Sequence, residues 1–189
     1  MGRLDGKVAV ITGAGSGIAR SAASIFTREG ACVVVAEIDE GKGAITAREA
    51  GNNAVFVPTD VTDEDSVKDM IAQAIAHFGG LHILFNCAGG SVLEDNKVTD
   101  VDMEVWDRTI SLDLKGPFLC SRHGIPAIID SGGGAVVNVS SVVALRGNHP
   151  AHVYSSAKGA LISLTRSLAG AYADLGVRAN VICPVLVKT

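Results

Sequence analysis

The chain has 189 residues, of which 48 % are hydrophobic and 19 % charged, and its formal net charge is −4. This composition is typical of one folded domain, spanning residues 1–189, and excludes a disordered or fibrous protein. Acidic and basic residues are interspersed, so no basic stripe indicates nucleic-acid binding and no cationic amphipathic helix indicates a membrane surface. We also expect no signal peptide and no membrane span, because the chain starts with a short polar segment and its apolar runs are short.

Six short runs rich in apolar and β-branched residues are predicted to be strands: 8–11, 32–35, 54–57, 82–85, 135–139 and 177–182. In most of them the apolar residues are continuous, which is typical of parallel strands covered on both faces. Helix-length stretches lie between them, among them 21–28, 64–78, 105–129 and 156–173. This alternation predicts right-handed βαβ units and therefore a doubly wound α/β fold with a parallel sheet.

The first predicted strand ends in a glycine-rich turn, Thr12-Gly13-Ala14-Gly15-Ser16-Gly17-Ile18, and a helix follows. A dinucleotide pyrophosphate needs free backbone N–H groups at a helix N-terminus, and glycines let the chain come close to it. An ordinary strand–helix turn is the alternative. The position at the first strand–helix junction favours a nucleotide site.

The second strand ends at Glu37, 24 residues after Gly13, which suits the acidic residue that binds the adenosine ribose in such sites. A carboxylate there would repel the extra phosphate of NADP, and no Arg or Lys occupies positions 14–18 or 38. The sequence therefore favours NAD over NADP. Alternatively, Glu37 is a solvated residue that opens a loop, and Asp39 caps the next helix.

Tyr154 and Lys158 are spaced by one helical turn, which places both side chains on one face of a helix. A neighbouring ammonium lowers the pKa of a phenol, so Tyr154 could exchange a proton with an alcohol or a carbonyl. Ser140 and Ser141 close the preceding strand, where a hydroxyl could hold the substrate oxygen. The alternatives are a solvated helix face for the pair and capping or turn formation for the serines.

In this order, the motifs resemble those of the short-chain dehydrogenase/reductase family, in its short single-domain form, over residues 7–189. The matching motifs are Thr12-Gly13-x-x-x-Gly17, Asp60-Val61, Asn86-x-Ala88-Gly89, Asn138-x-Ser140-Ser141, Tyr154-x-x-x-Lys158 and Asn180-x-x-x-Pro184. The resemblance implies a Rossmann-type fold and reversible hydride transfer between NAD(H) and a secondary alcohol or ketone. Hydride transfer with NADP(H) is a less favoured alternative.

The resemblance also implies roles for individual residues. Tyr154 would be the general acid/base, and Lys158 would bind the nicotinamide ribose and lower the pKa of Tyr154. The family's serine lies 13 residues before its tyrosine, which selects Ser141 over Ser140. Asp60 and Val61 would contact adenine, and Glu37 the ribose. The cofactor contacts expected as a whole are Thr12, Gly13, Ser16, Gly17, Ile18, Glu37, Asp60, Val61, Asn86, Ala88, Gly89, Tyr154, Lys158 and Pro184.

The chain departs from the family pattern at four positions. Ala19 replaces the third glycine of the turn and Cys87 an asparagine, and both changes look tolerable. Asp113 stands where the family usually has an asparagine that holds a water in the proton relay. This carboxylate, which we include among the catalytic residues, could hold that water or pair with Lys158 and change the titration of Tyr154. Val185 replaces a glycine and disfavours any positive φ there.

Family members continue past the sixth strand with a substrate-covering loop, helices and a last strand, whereas this sequence stops at Thr189. We expect the sixth strand to form an exposed edge. Either the sequence omits a tail or the protein is short. Together with Asp113 and Val185, this feature leaves open a second function, that of a nucleotide-binding sensor or subunit without catalysis.

The resemblance implies a homodimer or homotetramer, paired through the helical stretches 105–129 and 156–173, and a small-molecule alcohol or carbonyl substrate. The four cysteines lie in apolar stretches without the spacing of metal ligands. We therefore expect no metal site, reduced core thiols and a cytoplasmic location.

Overall fold

The computed structural model describes residues 2–187 as one six-stranded parallel sheet with helices on both faces. The strands are β1 (Val8–Thr12), β2 (Cys32–Glu37), β3 (Ala54–Pro58), β4 (Ile83–Asn86), β5 (Gly134–Val139) and β6 (Val177–Ile182). The helices are α1 (Gly17–Arg28), α2 (Glu40–Ala50), α3 (Glu64–Phe78), α4 (Met103–Ile110), α5 (Gly116–Asp130) and α6 (His152–Tyr172). A π-helical turn (Ser111–Lys115) joins α4 to α5, and short 3-10 turns span Val142–Leu145 and Ala173–Leu175.

The sheet order β3-β2-β1-β4-β5-β6 confirms the predicted doubly wound α/β fold. Along β1, Val10 packs into one buried apolar cluster, while Ala9 and Ile11 pack into a second one. Both faces of the sheet are therefore covered, which explains why the apolar runs of the strands are continuous. β6 forms an edge within the described part of the chain, with Arg178, Asn180 and Ile182 exposed along it.

Helix boundaries follow side-chain caps that are visible in the sequence. Asp39 accepts a hydrogen bond from the Lys42 N–H at the start of α2. Asp39 is therefore the cap of this helix, which was one of the alternatives from the sequence. Asp63 caps α3 in the same way, and Gly79 ends that helix with a left-handed backbone. None of the helices over residues 2–187 is both long enough and apolar enough to cross a membrane.

The uninterrupted helix predicted over 105–129 is wrong in its middle. The helical segment begins at Met103 and ends at Asp130, but the turn Ser111–Lys115 is π-helical. Such a turn holds one extra residue and rotates the side chains that it carries. Here it places Asp113 in the interior, with no exposed surface.

Candidate active site

A long cleft of about 850 Å³ opens at the carboxyl ends of β1, β4 and β5. The chain order reverses between β1 and β4, and ligands of open α/β sheets bind at such switch points. A side lobe of about 430 Å³ adjoins it and shares Ser141 and Tyr154 with the cleft. Across residues 2–187, no group of His, Cys, Asp and Glu side chains gathers as a metal site would.

One end of the cleft is formed by the glycine-rich turn. Gly13 has φ +68°, and a Cβ on it would lie 2.8 Å from the Cα of Ala88. Ser16 precedes α1 without a side-chain capping bond, and the first turn of the helix carries no acidic residue. The N–H groups of this helix end therefore remain free for an anionic group, and bare backbone can approach it. The turn fits a pyrophosphate.

Glu37 ties the end of β2 to this turn. One carboxylate oxygen accepts a hydrogen bond from the Gly15 N–H at 2.8 Å, and the other accepts from Ile38 and Asp39 at 2.9 and 3.1 Å. Glu37 therefore opens the loop after β2, as the alternative held, but its carboxylate is also anchored to the glycine-rich turn. Glu37 lines the cleft and places a carboxylate beside the turn.

Ten of the predicted cofactor contacts line the cleft: Gly13, Ser16, Gly17, Ile18, Glu37, Ala88, Gly89, Tyr154, Lys158 and Pro184. The departures at Ala19 and Val185 are accommodated. Ala19 is buried in the second apolar cluster, and Val185 does not have a positive φ.

Two other predicted contacts lie beneath the cleft and brace its wall. The Thr12 hydroxyl is buried and accepts hydrogen bonds from the N–H groups of Cys87 and Ala88, both at 3.1 Å. Asn86 is also buried and donates to the side chain of Asn138 at 2.8 Å. Neither side chain lines the cleft, because hydrogen bonds between strand ends hold both of them inside.

Asp60 and Val61 likewise do not line the cleft. The Asp60 carboxylate accepts bonds from the N–H and the hydroxyl of Thr62, at 2.8 and 2.7 Å. Val61 belongs to the first apolar cluster and packs against Gly116. These contacts form the turn after β3, and the expected contact with adenine stays a prediction.

Tyr154 lies in the first turn of α6, at the far end of the cleft. Its N–H donates to the buried carboxylate of Asp95 at 2.7 Å, and the Val153 N–H donates to the other oxygen at 3.2 Å. Asp95 thus fixes the start of α6 from a neighbouring loop. Asp95 could not be identified from the sequence, because no motif links position 95 to the start of a helix 58 residues away.

The two serines after β5 have different surroundings. Ser140 is buried, and its hydroxyl donates to the Lys158 carbonyl at 2.8 Å, which braces β5 against α6. Ser141 lines both the cleft and the side lobe beside Tyr154. The geometry agrees with the choice of Ser141, because its hydroxyl is the one that a bound molecule could reach.

Lys158 and Asp113 form a buried ion pair, one of the two possibilities raised by the sequence. The Nζ–Oδ1 distance is 3.0 Å, and the two side chains are 4 % and 0 % exposed. Lys158 also donates to the Val139 carbonyl at 3.0 Å, and its Nζ lies 5.5 Å from the centroid of the Tyr154 ring.

The expected lowering of the Tyr154 pKa is wrong for this arrangement. Burial, and then the Asp113 carboxylate, raise the pKa of the phenol above its ordinary value, and a hydrogen bond from Ser141 only partly opposes them. Burial also raises the pKa of Asp113, against the opposing effect of Lys158. Burial is the larger cause, and the Lys158 ammonium that was expected to oppose it is paired with Asp113.

Comparison with known proteins assigns the chain to a family. The family model described as short chain dehydrogenase matches residues 7–189. An uncharacterised oxidoreductase of Thermotoga maritima is 39 % identical over 98 % of this chain and 73 % of its own length. Cis-4-hydroxycyclohexanecarboxylate dehydrogenase of Sinomonas cyclohexanicum is 40 % identical over 94 % of this chain and 72 % of its own length. Meso-2,3-butanediol dehydrogenase of Serratia marcescens is 39 % identical over 99 % of this chain and 74 % of its own length.

A solved structure supports the same assignment. A Burkholderia xenovorans protein described as a short-chain dehydrogenase/reductase superposes with a TM-score of 0.95 at 33 % sequence identity. The match covers all of this chain and 74 % of that one. Because the family model spans nearly all of this chain, and relatives of 39–40 % identity match it over almost its whole length, the chain belongs to the short-chain dehydrogenase family of oxidoreductases.

Proposed function

We propose that the chain transfers a hydride between NAD(H) and a secondary alcohol or ketone. The observation that carries this proposal is one cleft with a phosphate-compatible turn at one end and Ser141, Tyr154 and Lys158 at the other. When bound there, the nicotinamide would supply the hydride acceptor or donor. The residues of the chain would hold the reactants and move the proton.

The cleft offers each part of a dinucleotide a suitable partner. The free N–H groups at the start of α1 would hold the pyrophosphate, and Glu37 would accept hydrogen bonds from the adenosine ribose. Lys158 would donate to the second ribose. The carboxylate of Glu37 supports NAD over NADP, because a phosphate on that ribose would face a like charge.

Proton transfer would take place between the substrate oxygen and Tyr154, with Ser141 beside them. The Ser141 hydroxyl would donate to the substrate oxygen and hold it beside the phenol. In the oxidative direction the Tyr154 phenolate would take the hydroxyl proton as the C=O bond forms, and in the reductive direction the phenol would return it. Two relatives are named as dehydrogenases of a hydroxycyclohexane acid and of a diol, which supports a secondary alcohol as substrate.

Turnover of a small alcohol panel tests this function directly. With NAD⁺, we expect NADH absorbance to rise for at least one member of a panel that contains meso-2,3-butanediol and cis-4-hydroxycyclohexanecarboxylate. Mixtures without alcohol are the control. Binding of NADH without turnover of any alcohol or ketone would favour the sensor or subunit instead, a function that the paired Lys158 makes worth testing.

Replacement of Glu37 tests the cofactor preference. In Glu37→Ser, we expect the ratio of NADPH to NADH affinity to rise about tenfold, which corresponds to about 1.4 kcal/mol of relieved repulsion. Fluorescence titration with each nucleotide measures the ratio. Glu40→Gln, which removes an exposed charge at the start of α2, is the matched control. An unchanged ratio in Glu37→Ser would show that this carboxylate does not select the cofactor.

The pairing of copies into a homodimer or homotetramer stays a prediction. Met103, Trp106 and Phe118 leave 66 %, 41 % and 47 % of their surfaces exposed along α4 and α5. Apolar side chains of this size would gain by burial in a contact between helices.

A further inference from the structure

The Lys158–Asp113 pair differs from the other ion pairs of residues 2–187 in its burial. In each of the others at least one partner is well exposed, whereas both partners here are almost completely covered. Exposed pairs have little effect on their surroundings, because water screens them. The charges of a buried pair act strongly on neighbouring titratable groups, because the protein interior screens charges poorly.

The surroundings hold Asp113 in place from several sides. Its Oδ1 accepts bonds from the Gly90 N–H and from Lys158 Nζ, both at 3.0 Å, while Oδ2 is buried without a hydrogen-bond partner. Gly89 leaves room for this arrangement, because a Cβ at that position would collide with Asp113 Oδ1. The π-helical turn directs the side chain inward from the opposite wall.

The charges around Tyr154 are few. Lys158 lies on the same helix and Asp113 on the π-helical turn, and their opposite charges adjoin each other. The Asp95 carboxylate is bound to the N–H groups of Val153 and Tyr154. The remaining groups are the Cys87 thiol, whose pKa burial raises to about 11, and Arg146 and His149 in the side lobe. Lys158 is therefore the only buried cation beside the phenol in the described chain, and Asp113 balances its charge.

We propose that Asp113 is a positioning residue that neutralises Lys158 and thereby sets proton transfer at Tyr154 to a more alkaline range than an uncharged side chain would. The effect of Asp113 on catalysis rests on the proposed function. Its effect on the titration of the Tyr154 phenol can be measured without turnover. Asp113 does not line the cleft, so it acts through Lys158 and by its own charge. This assignment revises its expected place among the catalytic residues.

The direction of the effect follows from the charges. Phenolate formation places a negative charge near Asp113, which opposes it, and near Lys158, which favours it. Asp113→Asn keeps a similar shape and an acceptor for Gly90 but removes the opposing charge. We expect the midpoint of the Tyr154 titration to fall by about one pH unit or more.

The chain allows this titration to be read from one residue. Tyr154 and Tyr172 are its two tyrosines, so in a Tyr172→Phe background the ultraviolet absorbance of phenolate reports Tyr154 alone. The cofactor-free full chain is titrated with Asp113 intact and as Asp113→Asn. Asp65→Asn is the matched control, because it removes the carboxylate from an exposed Lys68–Asp65 pair. The midpoint is expected to stay unchanged in this control.

The outcomes separate the inference from the proposed function. A lower midpoint in Asp113→Asn supports the inference even if no alcohol is turned over, whereas an unchanged or higher midpoint overturns it even if turnover is found. Where an alcohol is oxidised, the alkaline rise of kcat should move with the phenol midpoint. If Asp113→Asn does not fold, Asp113→Ser takes its place.

Discussion

Replacing Tyr154 by phenylalanine is expected to lower kcat by about two to four orders of magnitude. The variant keeps the ring that packs at the start of α6 but loses the oxygen that would exchange the proton with the substrate. NADH affinity should remain largely the same, because the glycine-rich turn and Glu37 lie at the other end of the cleft. Steady-state rates with the best alcohol of the panel, together with fluorescence titration of NADH, measure the two quantities.

Tyr172→Phe is the matched control for this variant. It removes the other phenolic hydroxyl of the chain, at the distant end of α6, where the ring packs against the first apolar cluster. Its rate and NADH affinity should match those of the parent. If Tyr154→Phe turned over alcohol at the parental rate, Tyr154 would not be the proton-transferring group, and the proposed mechanism would have to be abandoned.

The parts of the fold that could be predicted from sequence are those governed by local patterns. Runs rich in apolar and β-branched residues identify all six strands to within two residues. Most of these runs are continuous, because a strand buried on both faces does not alternate with polar residues, whereas the edge strand β6 does alternate. Asp39 identifies the start of α2 because its side chain caps that helix. Tyr154, Lys158 and Ser141 meet at one cleft because the carboxyl ends of parallel strands share one edge of the sheet.

The parts that could not be predicted depend on contacts between distant segments. The π-helical turn at Ser111–Lys115 has no distinctive composition, so the pattern predicts a continuous helix there. The inward direction of the Asp113 side chain follows from that turn. Whether its carboxylate pairs with Lys158 or binds a water depends on where α6 places Lys158. Thr12 and Asn86 belong to family motifs, yet their side chains form hydrogen bonds between strand ends instead of lining the cleft. A motif does not specify which of these two positions a side chain takes.

Lys158→Met is expected to lower the free energy of unfolding by about 3–5 kcal/mol, because Asp113 would remain buried without its cationic partner. Denaturant unfolding of the cofactor-free chain measures this loss. Adding Asp113→Asn should restore most of it, since the double variant buries neither charge. Turnover should stay low in both variants, because neither has the ammonium beside Tyr154. Recovery of stability without recovery of activity would separate the structural role of the pair from the catalytic role of Lys158.

The loss of unfolding free energy in Lys158→Met, called its deficit below, should also depend on pH. Burial raises the pKa of Asp113 in the folded protein, so the folded state binds this proton more tightly than the unfolded chain does. Lys158 lowers this pKa, so its removal raises the pKa of Asp113 further in the folded variant. The deficit is therefore full above the pKa of Asp113 in the variant and shrinks as the pH falls from there to the lower pKa of Asp113 in the intact protein. Lys68→Met, which breaks the exposed pair with Asp65, should cause only a small loss. A deficit in Lys158→Met as small as that of Lys68→Met would mean that Asp113 is held uncharged at neutral pH, and the ion pair would then not be what stabilises this end of the cleft.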